Sequence, residues 1–254
     1  MKRLLLAAVL VLAGCGSEHS HAAPSAPPPT SLAERCGGTH TKWRTLWLHA
    51  ADGTRLDGAV TGTGGSGVVF LHESPADLCG WEPYGATLAR RGFRVLLVDL
   101  RAFGLSGRGR YGGKRGGVAD VRGAVHELKR LGAKRVALVG ASYGGATALV
   151  AAPALGSQIA GVASLSGELA LPNAQLNALA TVPRLRVPLL VLGSRGDPYL
   201  DAADARRLLR AAGPKQKTLV EFDGTSHGWN LLGDASTRTR ADRELVAFLR
   251  RVAQ

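Results

Sequence analysis

The 254-residue chain predicts a doubly wound α/β fold: a mostly parallel sheet with helices on both faces, opened by an antiparallel N-terminal hairpin. Three observations predict it: six short apolar runs of strand length, helical patterns between most of them, and one Asp-Gly turn signal between two strand-like segments near the start. Continuous apolar runs are the form taken by parallel strands buried on both faces. Their alternation with helices calls for right-handed crossovers, which lay helices on both sides of the sheet.

Residues 1–14 carry Lys2 and Arg3, a short apolar stretch and small residues ahead of Cys15. This pattern reads as a secretory signal, too short for a membrane span. The ending Leu12-Ala13-Gly14-Cys15 resembles the bacterial lipobox, which implies cleavage before Cys15 and lipid on its sulfur and new amino group. An ordinary secretory signal that contains a cysteine is the other reading. Residues 15–38 are rich in Pro, Ser and Ala and read as a tether between that anchor and one domain, 39–254. His19 and His21, within the tether, read as solvated polar residues. The protein is thus expected on the outer face of a bacterial membrane, held by lipid at Cys15.

Within the domain, segments 45–50 and 56–61 flank Asp52-Gly53 as the hairpin, and the six apolar runs span 68–72, 95–99, 136–140, 162–166, 188–192 and 218–222. Helical patterns cover 81–91, 118–131, 143–152, 202–211 and 236–252. Only residues 168–187 lie between the fourth and fifth runs, which leaves no room for a large lid.

The formal charge of +13 falls to +11 once Lys2 and Arg3 leave with the signal. Such a basic surface would be drawn to an anionic envelope. Nucleic-acid binding is the competing reading, but aromatics make up only 5% of the chain and no nucleic-acid motif appears. With Cys15 lipidated, Cys36 and Cys79 remain, either as a disulfide of an exported protein or as two free thiols.

The richest stretch is Gly140-Ala141-Ser142-Tyr143-Gly144 after the third run. A buried strand that runs into a serine flanked two positions away by glycines builds a nucleophile elbow, in which a Cβ at either glycine would collide where strand and helix pass. In a doubly wound sheet, chemistry collects at the carboxyl ends of strands. Ser142, Asp197 and His227 all fall at such ends.

Together with His72-Glu73-Ser74 and the segment 99–106, these residues make the sequence over roughly 45–254 resemble the α/β hydrolases. The resemblance implies Ser142 as nucleophile, His227 as general base and then acid, and Asp197 as the group that orients the imidazole. Glu168, at the end of the preceding run, is the alternative acid. The resemblance further implies an oxyanion hole from the Tyr143 N–H and a donor in the loop after residue 72, where Ser74 is favoured over Glu73. Glu73 stands where many relatives carry glycine, and its carboxylate is expected in the cleft or out in solvent. Asp99 is expected to brace its loop with Arg101, and His72 to order loops by hydrogen bonding.

Arg108, Arg110, Lys114 and Arg115 crowd the loop 108–117, expected on the rim of the site as an anionic-group binder or as a solvated loop. No metal-ligand spacing or phosphate-cradling motif is present, so no cofactor or metal is expected. The implied activity is hydrolysis of a carboxylic ester or related acyl bond of a small-molecule substrate. A peptidase, thioesterase, lactonase or acyltransferase using the same residues, or a non-catalytic binding protein of the envelope, stands as the alternative. Oligomeric state is left open.

Overall fold

The computed structural model describes residues 31–37 and 42–253. The signal segment, Cys15, His19, His21, His40 and most of the tether lie outside the described residues.

In chain order the elements are α1 (Leu32–Cys36), β1 (Arg44–His49), β2 (Arg55–Thr61), β3 (Ser66–Leu71), α2 (Glu82–Arg90), β4 (Arg94–Val98) and α3 (Gly113–Arg130). Then come β5 (Arg135–Ala141), α4 (Tyr143–Leu155), β6 (Gly161–Leu165), β7 (Ala170–Leu171), β8 (Leu176–Asn177), α5 (Ala178–Thr181), β9 (Leu189–Ser194), α6 (Ala202–Ala211), β10 (Lys217–Phe222) and α7 (Arg238–Ala253). Eight strands form one sheet in the order β1-β2-β4-β3-β5-β6-β9-β10. β1 and β2 pair antiparallel about the Asp52-Gly53 turn, β2 runs antiparallel to β4, and the remaining neighbours are parallel. The expected α/β architecture without a large lid is therefore the one the chain adopts.

Alternation along each strand sorts the core into two layers, because successive side chains point to opposite faces. Val69, Leu71, Leu96, Val98 and Leu138 pack with α3, α4 and α6. Val68, Phe70, Val95, Leu97 and Val139 pack on the other face with Leu32, α2 and α7. Both layers being apolar explains why the runs read as unbroken.

Strand order reverses at β3, with β4 on one side of it and β5 on the other. A crevice opens at such a switch point, beyond the carboxyl ends of the strands. The pairing of Leu71 with Gly140 sets the end of β3 beside the end of β5. The loop after residue 72 and the serine at 142 thereby become neighbours.

Two segments depart from the sequence reading. α3 begins at Gly113, not 118, so the end of the expected loop 108–117 is helical. Gly116 and Gly117 weaken helix propensity, but a Cβ on Gly116 would lie 2.4 Å from Tyr111 O, so close packing requires glycine there. Likewise the end of the expected tether is structured: Ser31 caps α1, Gly37 closes it at φ 64, and Leu32 is buried in the second core layer. Cys36 and Cys79 form a disulfide with Cα atoms 5.2 Å apart, which fastens α1 to the loop that leads into α2.

Beside that disulfide Arg35 reaches three carboxylates: Asp57, Asp77 at 3.1 Å and Asp99 at 2.6 Å. Asp99 also accepts the N–H groups of Leu78 and Leu105. This corrects the expected Asp99–Arg101 brace. Arg101 instead pairs with Asp120 at 2.7 Å and Asp52 at 2.9 Å, tying the end of β4 to α3 and to the hairpin turn.

Candidate active site

Ser142 follows β5 directly and sits at φ 48, a left-handed conformation costly for a residue with a Cβ. Surrounding bonds hold it there. Its N–H donates to Leu165 O and its carbonyl accepts from Ala146 N, each at 2.9 Å. An added Cβ on Gly140 would lie 2.2 Å from Gly144 O, and one on Gly144 would lie 2.2 Å from Leu71 O. Both glycines are thus required by close backbone approach, as the elbow pattern anticipates. The serine is buried, with 7% of its surface exposed.

The loop after β9 carries Asp197, whose carboxylate is buried and accepts from the N–H groups of Tyr199 and Leu200. From the loop after β10, His227 brings Nδ1 to 2.9 Å from both carboxylate oxygens. Burial raises the Asp197 pKa, but the hydrogen bond from His227 and the backbone N–H of Tyr199 outweigh it and leave the group below its ordinary value. In turn, burial lowers the His227 pKa while Asp197, then Glu73 and Glu168, raise it, and the net shift is upward. Ser142 and the ring are not hydrogen-bonded to each other in this structure, a spacing that commonly tightens when a substrate binds.

Tyr143 opens α4, where first-turn N–H groups have no intrahelical partner and the helix dipole favours negative charge. Ser74, exposed and joined to Pro75 by a cis peptide bond, lines the same pocket as Ser142 and Tyr143. The two residues expected to supply oxyanion donors therefore line one space. His72 is fully buried: its Nδ1 lies 2.6 Å from Glu73 O and its Nε2 accepts from Leu100 N at 3.1 Å, so it ties the ends of β3 and β4 together. Burial holds its pKa down, which suits a neutral ring bonded at both nitrogens.

Glu73 goes neither into the cleft nor out to solvent. Its Oε1 accepts from Trp229 N at 2.7 Å, beneath the loop that carries His227. Gly228, at φ 55, leaves room for it, since a Cβ there would meet that carboxylate oxygen at 1.6 Å. The glutamate in a position where glycine is usual thus links the loop of Ser74 to the loop of His227. Nothing in the local sequence signalled this link beyond the departure from glycine itself.

The pocket at Ser142 holds about 410 Å³. β7 and β8 pair antiparallel as a small flap, and its residues Leu171, Pro172 and Ala174, with Phe103 and Tyr143, give the pocket apolar walls; Glu168 also lines it. Asp197, not Glu168, is the carboxylate hydrogen-bonded to the imidazole. The basic segment lies elsewhere: Lys114 and Arg115 line a separate hollow of about 650 Å³ with Asp52 and Arg122, and Arg115 stacks on Tyr111 at 3.4 Å. Gln175 of the flap borders that hollow, so the β7–β8 flap stands between it and Ser142. No group of metal-ligating side chains is present among the described residues.

A family model for the α/β-hydrolase fold matches residues 67–186. The chain has the α/β-hydrolase fold. Similar solved structures include an esterase of Pyrococcus furiosus, 16% identical with a TM-score of 0.75 over 89% of this chain and 96% of that one. An esterase of a Rhodococcus species is 19% identical, with a TM-score of 0.69 over 82% of this chain and 99% of the other. A monoacylglycerol lipase of Paleococcus ferrophilus is 20% identical, with a TM-score of 0.65 over 76% of this chain and 98% of the other. No curated protein matches the chain by sequence. In this fold the elbow stands at the end of β5, and the Asp197–His227 pair comes from the ends of β9 and β10, beyond β6.

Proposed function

We propose that the protein is a serine hydrolase that cleaves a carboxylic ester or related acyl bond through an acyl-enzyme. The observation that carries this reading is a strained, close-packed Ser142 on the same sheet edge as a buried Asp197 bonded to His227 Nδ1 at 2.9 Å. A serine hydroxyl is nearly unreactive at neutral pH until a base takes its proton. With Nδ1 held by Asp197, His227 Nε2 is free to accept that proton as Ser142 Oγ attacks the acyl carbon. The oxyanion is met by the N–H groups of Tyr143 and Ser74, and His227 returns the proton to the departing alkoxide. Water then repeats the cycle on the acyl-enzyme. Similarity to structures described as esterases and a lipase favours an ester over other acyl compounds.

A panel of p-nitrophenyl esters of graded chain length, beside thioester, lactone and peptide substrates, tests the bond cleaved. Ester turnover that vanishes in Ser142→Ala supports the reading, and none above background from the wild type sinks it. The active form needs a neutral imidazole, so activity rises with pH through the His227 pKa. Because that pKa is raised, the acid limb of kcat/KM is expected above pH 6.5, the ordinary histidine value, and should move down in Asp197→Asn.

Export and lipid attachment at Cys15 form part of the same proposal. They are supported by the signal pattern and by the Cys36–Cys79 disulfide, a bond suited to an oxidising compartment. Incorporation of labelled palmitate that is lost in Cys15→Ser is the expected result.

A further inference from the structure

Glu168 lines the pocket at Ser142, yet among the described residues it makes no hydrogen bond or ion pair. The charged groups that act on it are His227 and Asp197, and burial raises its pKa. No lysine or arginine lines this pocket, although the chain as a whole is strongly basic. The pocket is therefore negative inside a positive protein. Partial burial of an unpaired carboxylate is unfavourable unless a ligand supplies its partner.

The backbone that carries Glu168 is held on both sides. Ser166 turns the chain at φ 51, and Gly167 packs so tightly on α4 that a Cβ on Gly145 would lie 2.8 Å from Gly167 Cα. After it, Leu169 O accepts from Leu179 N at 3.1 Å. A rigid segment costs little further ordering when a ligand binds. Phe103 and Tyr143, with ring centroids 5.4 Å apart, line the same pocket. Aromatic faces attract cations through their quadrupole, most strongly where water is excluded.

We propose that Glu168, with the Phe103–Tyr143 pair, forms a subsite that selects acyl substrates carrying a cationic group, a protonated amine or quaternary ammonium, near the bond cleaved at Ser142. The inference rests on the reading of Ser142 as nucleophile. Glu168 acts by recognising the substrate and takes no part in proton transfer, which belongs to His227.

Three fluorophosphonates of equal length, ending in trimethylammonium, tert-butyl or carboxylate, test it through the rate of Ser142 phosphonylation read by intact mass. Trimethylammonium and tert-butyl have the same shape and differ only in charge. In the wild type the cationic probe is expected to react about tenfold faster than the tert-butyl probe, a difference of ~1.4 kcal/mol, and the carboxylate probe slowest. Glu168→Gln should cut the cation preference to about twofold, the residue left by the aromatic pair, and Glu168→Lys should reverse it. Each ratio is internal to one protein, so a change in the amount of folded variant does not alter it. Equal rates for the three probes, or a preference unchanged in Glu168→Gln, would overturn the inference while leaving the nucleophile intact. Absence of phosphonylation by all three would overturn the reading of Ser142 and this inference with it.

Discussion

Asp197→Asn is expected to lower kcat about 10⁴-fold with little loss of folded protein. Both Asp197 oxygens lie 2.9 Å from His227 Nδ1, and the carboxylate fixes the tautomer with the proton on Nδ1. An asparagine can turn its NH2 toward Nδ1, which puts the ring proton on Nε2. The ring then has no lone pair for the Ser142 proton. The amide oxygen can still accept from the N–H groups of Tyr199 and Leu200, so the loop keeps its anchors. Single-turnover and steady-state kinetics measure the effect, with thermal melting to verify folding. Glu168→Gln should cost orders of magnitude less, because that carboxylate makes no hydrogen bond to the ring. The reverse ranking would hand the orienting role to Glu168.

Loss of the Arg35 side chain is expected to destabilise the fold by about 3–5 kcal/mol, the range for removing one partner of a buried ion cluster. Arg35 is 13% exposed, and it compensates Asp57 and Asp99, exposed by 2% and 0%, as well as the more open Asp77. Arg35→Ala leaves the neighbouring disulfide in place, so the measured loss reports charge compensation and not detachment of α1. The effect should carry a pH signature. Burial pushes the Asp57 pKa up to about 6 even with Arg35 beside it. Between about pH 4, where the unfolded side chain titrates, and pH 6 the folded state binds more protons than the unfolded state, so stability falls as pH rises. Without Arg35 the folded pKa moves higher still. The deficit of Arg35→Ala in urea unfolding should therefore be small below about pH 6 and grow as the pH rises above it. A pH-independent deficit would point to lost packing instead.

These two expectations differ in how visible their residues are in the sequence. The elbow is spelled out locally, because close backbone approach demands Gly140 and Gly144 and a buried strand must precede Ser142. Asp197 and His227 are visible for a related reason: each follows a strand-length run, β9 inside the sheet and β10 at its edge, and so falls at the carboxyl end of a strand. The parallel strands inside the sheet were legible because both faces are covered, so the period-2 sorting into two layers leaves most of their positions apolar; the edge strand β10, with Lys217, Thr218 and Glu221, is the exception. What escaped was long-range charge pairing. Arg35 meets carboxylates 22, 42 and 64 residues away, and no pattern within its own segment marks it as anything but the end of a polar tether. The same physics misassigned Asp99, since both Arg101 and Arg35 suit a carboxylate and only the fold brings one of them close. Glu73 escaped because its partner is a backbone N–H of Trp229, 156 residues away.

The proposed reaction depends on activation of Ser142 as a nucleophile. It is tested most directly by intact-mass analysis after reaction with a fluorophosphonate, for the wild type, Ser142→Ala and His227→Ala side by side. One adduct per chain is predicted, located on the peptide that contains Ser142, absent from Ser142→Ala and strongly slowed in His227→Ala. An adduct that persists in Ser142→Ala, or a wild type left unmodified under conditions that saturate a control esterase, would contradict the account.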